Sequence, residues 1–283
     1  MKKNIVIAIL LIITVLLGGT LYYQYTNQNK IYEKCKEEKK EKASEALDVT
    51  SKEVTELFNG VNDLAKNRLS DAYFGYLYKQ DELKVEDMSD ELVVANAVYK
   101  EYLGCGEKCV RKSINEQEID NFVISGDKVK ENVNNLFGNI EYKNVNLKQF
   151  DCQGAFNYNQ QENNYINDFY GCGYGLQDSK NLLTFITKAV KENSEGEKEE
   201  DFIDIYVKIA FEYIKVDEEK PEQESIRSIY TDYNMVNKIY EAKEMEYNEE
   251  TLLKNVREKL PTYKLHFEKE NNTYHFKQIN IIK

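Results

Sequence analysis

The chain has no tryptophan, two prolines and two histidines among 283 residues. With His266 and His275 as its imidazoles, a three-histidine metal centre is excluded, and any Ser-His-Asp or Cys-His relay must pass through one of these two. Neither lies near a nucleophile elbow in sequence. Phosphate-cradling loops are missing as well: there is no Walker-type loop, no G-x-G-x-x-G after a strand, no H-E-x-x-H and no EF-hand loop. Positive charge is short: 38 Lys and Arg stand against 50 Asp and Glu, a net charge of −12. Nucleic-acid partners are therefore excluded, because a polyanion is bound by cations that displace its counterions. The same sign opposes docking of the body onto anionic lipid. With so many carboxylates, a neighbouring acidic pair carries no weight as a glycosidase dyad.

Long apolar runs are scarce too, with one exception. From Ile5 to Leu17 every residue is apolar except Thr14, and no charge falls between Lys3 and Lys30. The stretch Asn4–Tyr23 is about 20 residues, or roughly 30 Å as a helix, which matches the hydrocarbon core of a bilayer. Inside lipid a helix satisfies its own backbone groups, and Tyr22, Tyr23 and Tyr25 sit where an interfacial aromatic belt belongs. The sequence thus predicts membrane lipid as a partner of an N-terminal transmembrane helix. The rival is a cleaved signal peptide after Lys2 and Lys3, but Gly18-Gly19-Thr20 is a poor cleavage site and bulky Leu21-Tyr22-Tyr23 follow it. Lys30, Lys34, Lys36, Lys39, Lys40 and Lys42 trail the helix. By a naive positive-inside count they would keep the body in the cytoplasm. They begin well past the membrane edge, however, and long domains translocate largely regardless of charge. The expected location is the cell membrane, single-pass, with the C-terminal domain outside the cytoplasm.

Along the chain four stretches are expected: residues 1–23 as cytoplasmic tip and anchor, 24–48 as a charged helical stalk, 49–126 as a helical region and 127–283 as an α+β domain. In the stalk Glu33, Glu37 and Glu41 run beside Lys36 and Lys40 at helical spacing. Thr50-Ser51-Lys52-Glu53 reads as a capping box opening a helix whose apolar face is Val54, Leu57, Phe58, Val61, Leu64 and Leu69, continued or closed by Tyr73–Tyr78. A second helix runs from Ser89-Asp90-Glu91 to Gly104, and a third from Asp127 to Phe137 with Gly138 as its stop. Beyond Gly138 the period turns strand-like, beginning at Ile140, Tyr142 and Val145. Leu182–Lys191 and Phe202–Val216 form a hairpin, Ser228–Tyr240 a strand, Glu249–Leu260 a helix stopped by Pro261, and Tyr263–Phe267 with Thr273–Ile282 a terminal hairpin. Helices followed by an antiparallel meander define an α+β fold. His266 and His275 are expected on the solvated face of the last hairpin, opposite Tyr263, Leu265 and Phe267.

Five cysteines remain. Cys152 and Cys172 flank a turn-forming centre, Asn159–Asn164, so a hairpin would bring them opposite one another; a bridge there adds about 3 kcal/mol in the chain-entropy view. Cys105 and Cys109 lie past a helix end, with Gly106 allowing a tight reversal. Two local disulfides imply an oxidising compartment. A four-thiolate zinc site and reduced core cysteines are the alternatives, the first with unusual ligand spacing. Cys35, left over in the stalk, could join two copies as a homodimer or stay free.

The layout, through VKENVNNLFGNIEYKNV leading into strands, resembles membrane-anchored exported proteins of low-GC Gram-positive bacteria, and that likeness carries no functional motif. The tail YKLHFEKENNTYHFKQINIIK resembles the closing hairpin of cystatin-like cone domains of the nuclear-transport-factor-like type, which occur in anchored scaffolding subunits of secretion and conjugation machines. The helix expected at 249–260 departs from that family's helix-first order. No catalytic, metal or cofactor residue is assigned. The expected function is a non-catalytic, membrane-tethered extracytoplasmic binding or assembly module meeting an envelope protein or wall polymer. The alternatives are a small-ligand sensor using a cone-shaped pocket and a wall-modifying hydrolase.

Overall fold

Three local signals agree on a helix after Ser51. The Ser51 hydroxyl accepts from Val54 N at 3.3 Å, Glu53 sits in the first turn, and Val54, Phe58, Val61 and Leu64 return to one buried stripe. The cap falls one residue later than a capping box on Thr50 would put it. Thr50 instead folds back on Asp48, whose Oδ1 accepts from its N at 2.9 Å and its hydroxyl at 2.8 Å. The computed structural model describes residues 44–66, 71–105, 110–113, 120–148, 155–168, 178–192, 201–217, 219–246, 248, 254 and 256–282. The sequence-predicted anchor and most of the stalk lie outside them; among the described residues no helix is long and apolar enough to cross a membrane.

In chain order the elements are β1 (Ser44–Leu47), α1 (Lys52–Ala65), β2 (Glu82–Lys84), α2 (Asp90–Cys105), β3 (Val110–Ser113), β4 (Asp120–Ser125), α3 (Gly126–Phe137), β5 (Ala155–Asn159), β6 (Asn164–Asp168), β7 (Ser179–Glu192), β8 (Phe202–Lys215), β9 (Ile226–Tyr230), β10 (Lys238–Lys243), β11 (Thr262–Glu270) and β12 (Thr273–Ile282). The fold is α+β and its strand ladders are antiparallel. The main sheet runs β1-β7-β8-β11-β12-β2. The far edge of β8 is shared: β11 pairs with its first half, β9 with its last residues, and β10 hangs on β9. A four-stranded sheet, β3-β4-β6-β5, stands apart from it in the ladder pattern.

β8 (FIDIYVKIAFEYIK) is apolar on the face toward the helices, while the other face mixes Ala210 with the buried carboxylates Asp204 and Glu212. Ile203, Ile205, Val207, Ile209 and Phe211, each 0% exposed, meet the helices in one core cluster that runs from Val54 to Ile279, so the stretches 49–126 and 127–283 share it. Ala210 on the other face packs with Ile229, Val256 and Leu260. The space between sheet and helices is filled by Phe137, Phe211, Phe267, Phe276 and Leu77, all deeply buried. Each such side chain contributes about 1.5–3 kcal/mol of burial.

Several segments depart from the sequence reading: residues 49–126, expected as a helical region, also carry the strands β2, β3 and β4. Ser44–Leu47, expected to end the helical stalk, pairs with β7 instead, because a ladder partner outweighs a weak helix preference. Ser228–Tyr240 is two strands, not one. Asp232 turns the chain by accepting from Val236 N and Asn237 N, with Met235 at φ +57°. Ile140–Val145 is extended but unpaired, and only Leu147 bridges to Phe156. The helix expected at Glu249–Leu260 falls mostly outside the described residues; its end is a tight turn, Arg257–Lys259. The terminal hairpin closes on Asn271 and Asn272, both left-handed, as a two-residue turn requires.

Candidate functional site

Two adjoining cavities lie along α1. Gly60 faces α3 so closely that a Cβ there would meet Leu136 at 3.1 Å, and the missing side chain leaves a groove beside the contact. One cavity of about 650 Å³ lies between α1, the end of α3 and the β11–β12 turn, with Leu57, Leu136, Phe267 and Tyr274 in its walls. A second, of about 580 Å³, lies between α1 and α2 over Leu64, Asn96, Tyr99 and Leu103. Glu56, Gly60 and Lys100 line both, so the two adjoin. Each is the size of a small-molecule site.

Buried tyrosines fix the floor. The Tyr76 hydroxyl donates in a shared bond to Val61 O at 2.7 Å and Asn96 Oδ1 at 3.0 Å, and Tyr78 donates to Asn62 Oδ1 at 2.7 Å. Asn96 Nδ2 donates to Leu92 O. These bonds tie α1 to α2 through the segment that Gly75 reverses at φ +64°. Burial raises the pKa of both tyrosines, so they stay neutral donors.

Charge on the groove walls is unevenly matched. Glu56 pairs with Lys52 at 3.6 Å, and Glu53 with Lys191 at 3.6 Å. Asp63, on the α1 wall, is pushed up by burial, against the opposing pull of Lys66. Lys100, on the α2 wall, is pushed down by burial and then by Lys128. Around Lys100 stand Glu56, Glu101 and Glu131, each committed elsewhere: Glu131 to Lys128 at 2.9 Å, Glu101 to Asn132 Nδ2 at 3.3 Å, and Glu56 to Lys52. Among the described residues neither Asp63 nor Lys100 makes a hydrogen bond or ion pair.

The histidines are not where sequence alternation put them. His275 is buried against α3, with Nδ1 3.2 Å from Asn135 O, because the helix end covers that part of β12. His266 lies cross-strand from Asp204 rather than beside His275. Its Nδ1 is 2.6 Å from Asp204 Oδ1 and its Nε2 3.3 Å from Glu268 Oε1, while Lys264 donates to Asp204 Oδ2 at 3.1 Å. Asp204 above all, then Glu268, holds the imidazole pKa above its ordinary value. Both ring nitrogens are engaged by carboxylates, so this imidazole is a clamp between β8 and β11 and has no nitrogen free to take a substrate proton.

A second charged knot sits on the same face of β8. Glu212 accepts from Asn181 Nδ2 at 2.6 Å and Arg227 Nη1 at 3.0 Å, and Arg227 also grips Glu244. Among the described residues no group of His, Cys, Asp and Glu is arranged to hold a metal ion. Cys35, Cys109, Cys152 and Cys172 lie outside the described residues, and Cys105 ends α2 with only its backbone described. The hairpin expected between Cys152 and Cys172 is present as β5 and β6, with Asn159 opposite Asn164. Sequence reasoning passed over Asp63 and Lys100; the one local signal was a glycine in mid-helix with Glu56 four residues before it and Asp63 three after. Comparison with protein-family models, with curated proteins and with solved structures finds no match for this chain.

Proposed function

We propose that the protein is a non-catalytic, membrane-tethered extracytoplasmic binding module of the cell envelope, and that it binds through the groove along α1. In this reading residues 4–23 hold the chain in lipid, bridges among Cys105, Cys109, Cys152 and Cys172 staple the exposed body, and Cys35 is available to join a second copy. The partner is an envelope protein or a wall polymer. The observation that carries the site is the pair of adjoining cavities, about 650 and 580 Å³, that meet at Gly60. The two competing functions find less support. A sensor with its ligand between sheet and helices would need space that Phe137, Phe211, Phe267 and Phe276 occupy. A hydrolase working through histidine would need a free imidazole nitrogen, and His266 is held between two carboxylates.

The test places a photo-reactive amino acid at Leu103, which is 52% exposed beside the α1–α2 cavity, in the full chain in intact cells. Val236, 75% exposed in the β9–β10 turn, is the control position. The expected result is an adduct from Leu103 and none from Val236, with the body digested by external protease and its mobility shifted by reductant. Adducts from both positions alike, or from neither, overturn the groove; a body shielded from protease overturns the topology.

A further inference from the structure

We infer that the cavity between α1 and α2 is a site for a small zwitterion, an amino acid or dipeptide, whose ammonium faces Asp63 and whose carboxylate faces Lys100. The inference rests on the groove reading above and names the ligand class for one half of it. Asp63 and Lys100 come from different helices and line the same enclosed space of about 580 Å³. No hydrogen bond or ion pair joins them among the described residues. Every other charge bordering Lys100 already has its own partner: Glu56 with Lys52, Glu131 with Lys128, and Glu101 with Asn132. Asp63 has only Lys66, one helical turn along the same helix, and Lys66 Nζ stands over the Phe58 ring at 5.6 Å. Two opposite charges, each partly stripped of water and unpaired, face an interval that a ligand of matching polarity fills. An apolar ligand would take water from both and return no bond to either, and a neutral polar one would return only uncharged hydrogen bonds, weaker than those a zwitterion gives. The rest of the wall includes Leu64, Tyr99 and Leu103, with Asn59 and Asn96 as amide neighbours and Glu56, which pairs with Lys52. That composition suits an apolar side chain on the zwitterion, and the volume suits one or two residues.

The full chain, purified in detergent micelles, is titrated with glycine, with both enantiomers of the other standard amino acids and with glycyl-leucine and leucyl-glycine, reading the thermal midpoint and then calorimetric affinity. At least one zwitterion is expected to raise the midpoint, while its N-acetyl and its amide derivatives, each lacking one charge, bind about tenfold more weakly or worse. Asp63→Asn and Lys100→Gln should each weaken binding by about the same factor. Asp63→Asn should lose discrimination against the N-acetyl form, and Lys100→Gln against the amide, which a merely destabilised fold would not sort. Binding of blocked and free forms alike, or no binding by any of these probes, overturns the proposal. An adduct from Leu103 without zwitterion binding leaves the groove standing and removes this ligand class; loss of both removes the two together.

Discussion

Replacing Arg227 by methionine isolates the carboxylate of Glu212, 1% exposed in the sheet. Methionine keeps part of the aliphatic stem and deletes the charge that lies 3.0 Å from Glu212 Oε1. At an effective dielectric constant of about 20, two unit charges at 3.0 Å attract by about 5.5 kcal/mol. Arg227 is itself 22% exposed, so water recovers some of this, and Asn181 Nδ2 still donates to Glu212. Breaking a buried pair in this way costs about 3–5 kcal/mol, and the remaining amide bond places the expected loss near the lower end, about 3 kcal/mol. In a urea titration followed by far-UV circular dichroism, with a slope of about 2.5 kcal/mol per molar, the midpoint should fall by about 1 M. The second arm is Glu212→Gln added to Arg227→Met. Asn181 Oδ1 is buried and has no hydrogen-bond partner, so a glutamine amide opposite it supplies the missing donor while removing the stranded charge. The double variant should regain most of the lost stability. A loss under about 1 kcal/mol, or a double variant no better than the single, would refute the reasoning that this knot is a charge pair held dry.

Two further outcomes follow from the same structure. The His266 clamp, its imidazole pKa raised first by Asp204, contributes stability that is complete below the unfolded-chain value of about 6.5 and is lost as pH rises through the higher folded value. His266→Gln should therefore lower the thermal midpoint at pH 6, by the equivalent of about 1 kcal/mol, and cost nothing at pH 9; an equal loss at both would contradict it. Gly75 holds φ +64°, and a Cβ there would lie 2.8 Å from Tyr233 Cδ2, so Gly75→Ala should cost about 1–2 kcal/mol for the left-handed backbone plus the displacement of Tyr233. Chemical denaturation of Gly75→Ala with and without Tyr233→Ala separates the two parts, and an unchanged midpoint would reject both.

How much of this could be read from the residues depends on how local the cause is. The helix starts, expected at Thr50, Ser89 and Asp127 and capped at Ser51, Ser89 and Ser125, are legible to within a residue or two, as is the stop at Gly138, because caps and a positive-φ glycine are chemistry contained in adjacent residues. The long β7–β8 hairpin and the terminal one are equally local, set by β-branched runs around polar turns. Ser228–Tyr240 misled because its apolar spacing suits one long strand, while the decisive event is Asp232 folding its carboxylate onto two later amides. The histidines misled for a different reason: alternation tells which side of a strand a residue takes, not what covers that side. His266 meets Asp204, far away in the chain, only through the β8–β11 register. The groove was illegible for the same reason, since its charges are contributed by two helices and its opening depends on Gly60 meeting Leu136 of a third.

That dependence on Gly60 also bears on where a ligand is presented. The cavity nearer the start of α1 is bordered by Lys52, Glu53 and Tyr274, and Lys191 of β7, whose neighbour on β1 is Glu45, pairs with Glu53. That end of the groove is thus close to β1, the strand through which the described chain connects to the expected stalk and anchor. The α1–α2 cavity, with Asp63 and Lys100, lies at the other end of α1, toward Gly104. A ligand held by those charges would sit at the end of α1 away from β1, and anything longer would run along α1 toward β1. Filling Gly60 with a side chain would block that passage midway without touching either charge. Because Gly60 lines both cavities, Gly60→Leu should weaken zwitterion binding in the α1–α2 cavity as well as abolish the photo-adduct of any longer partner.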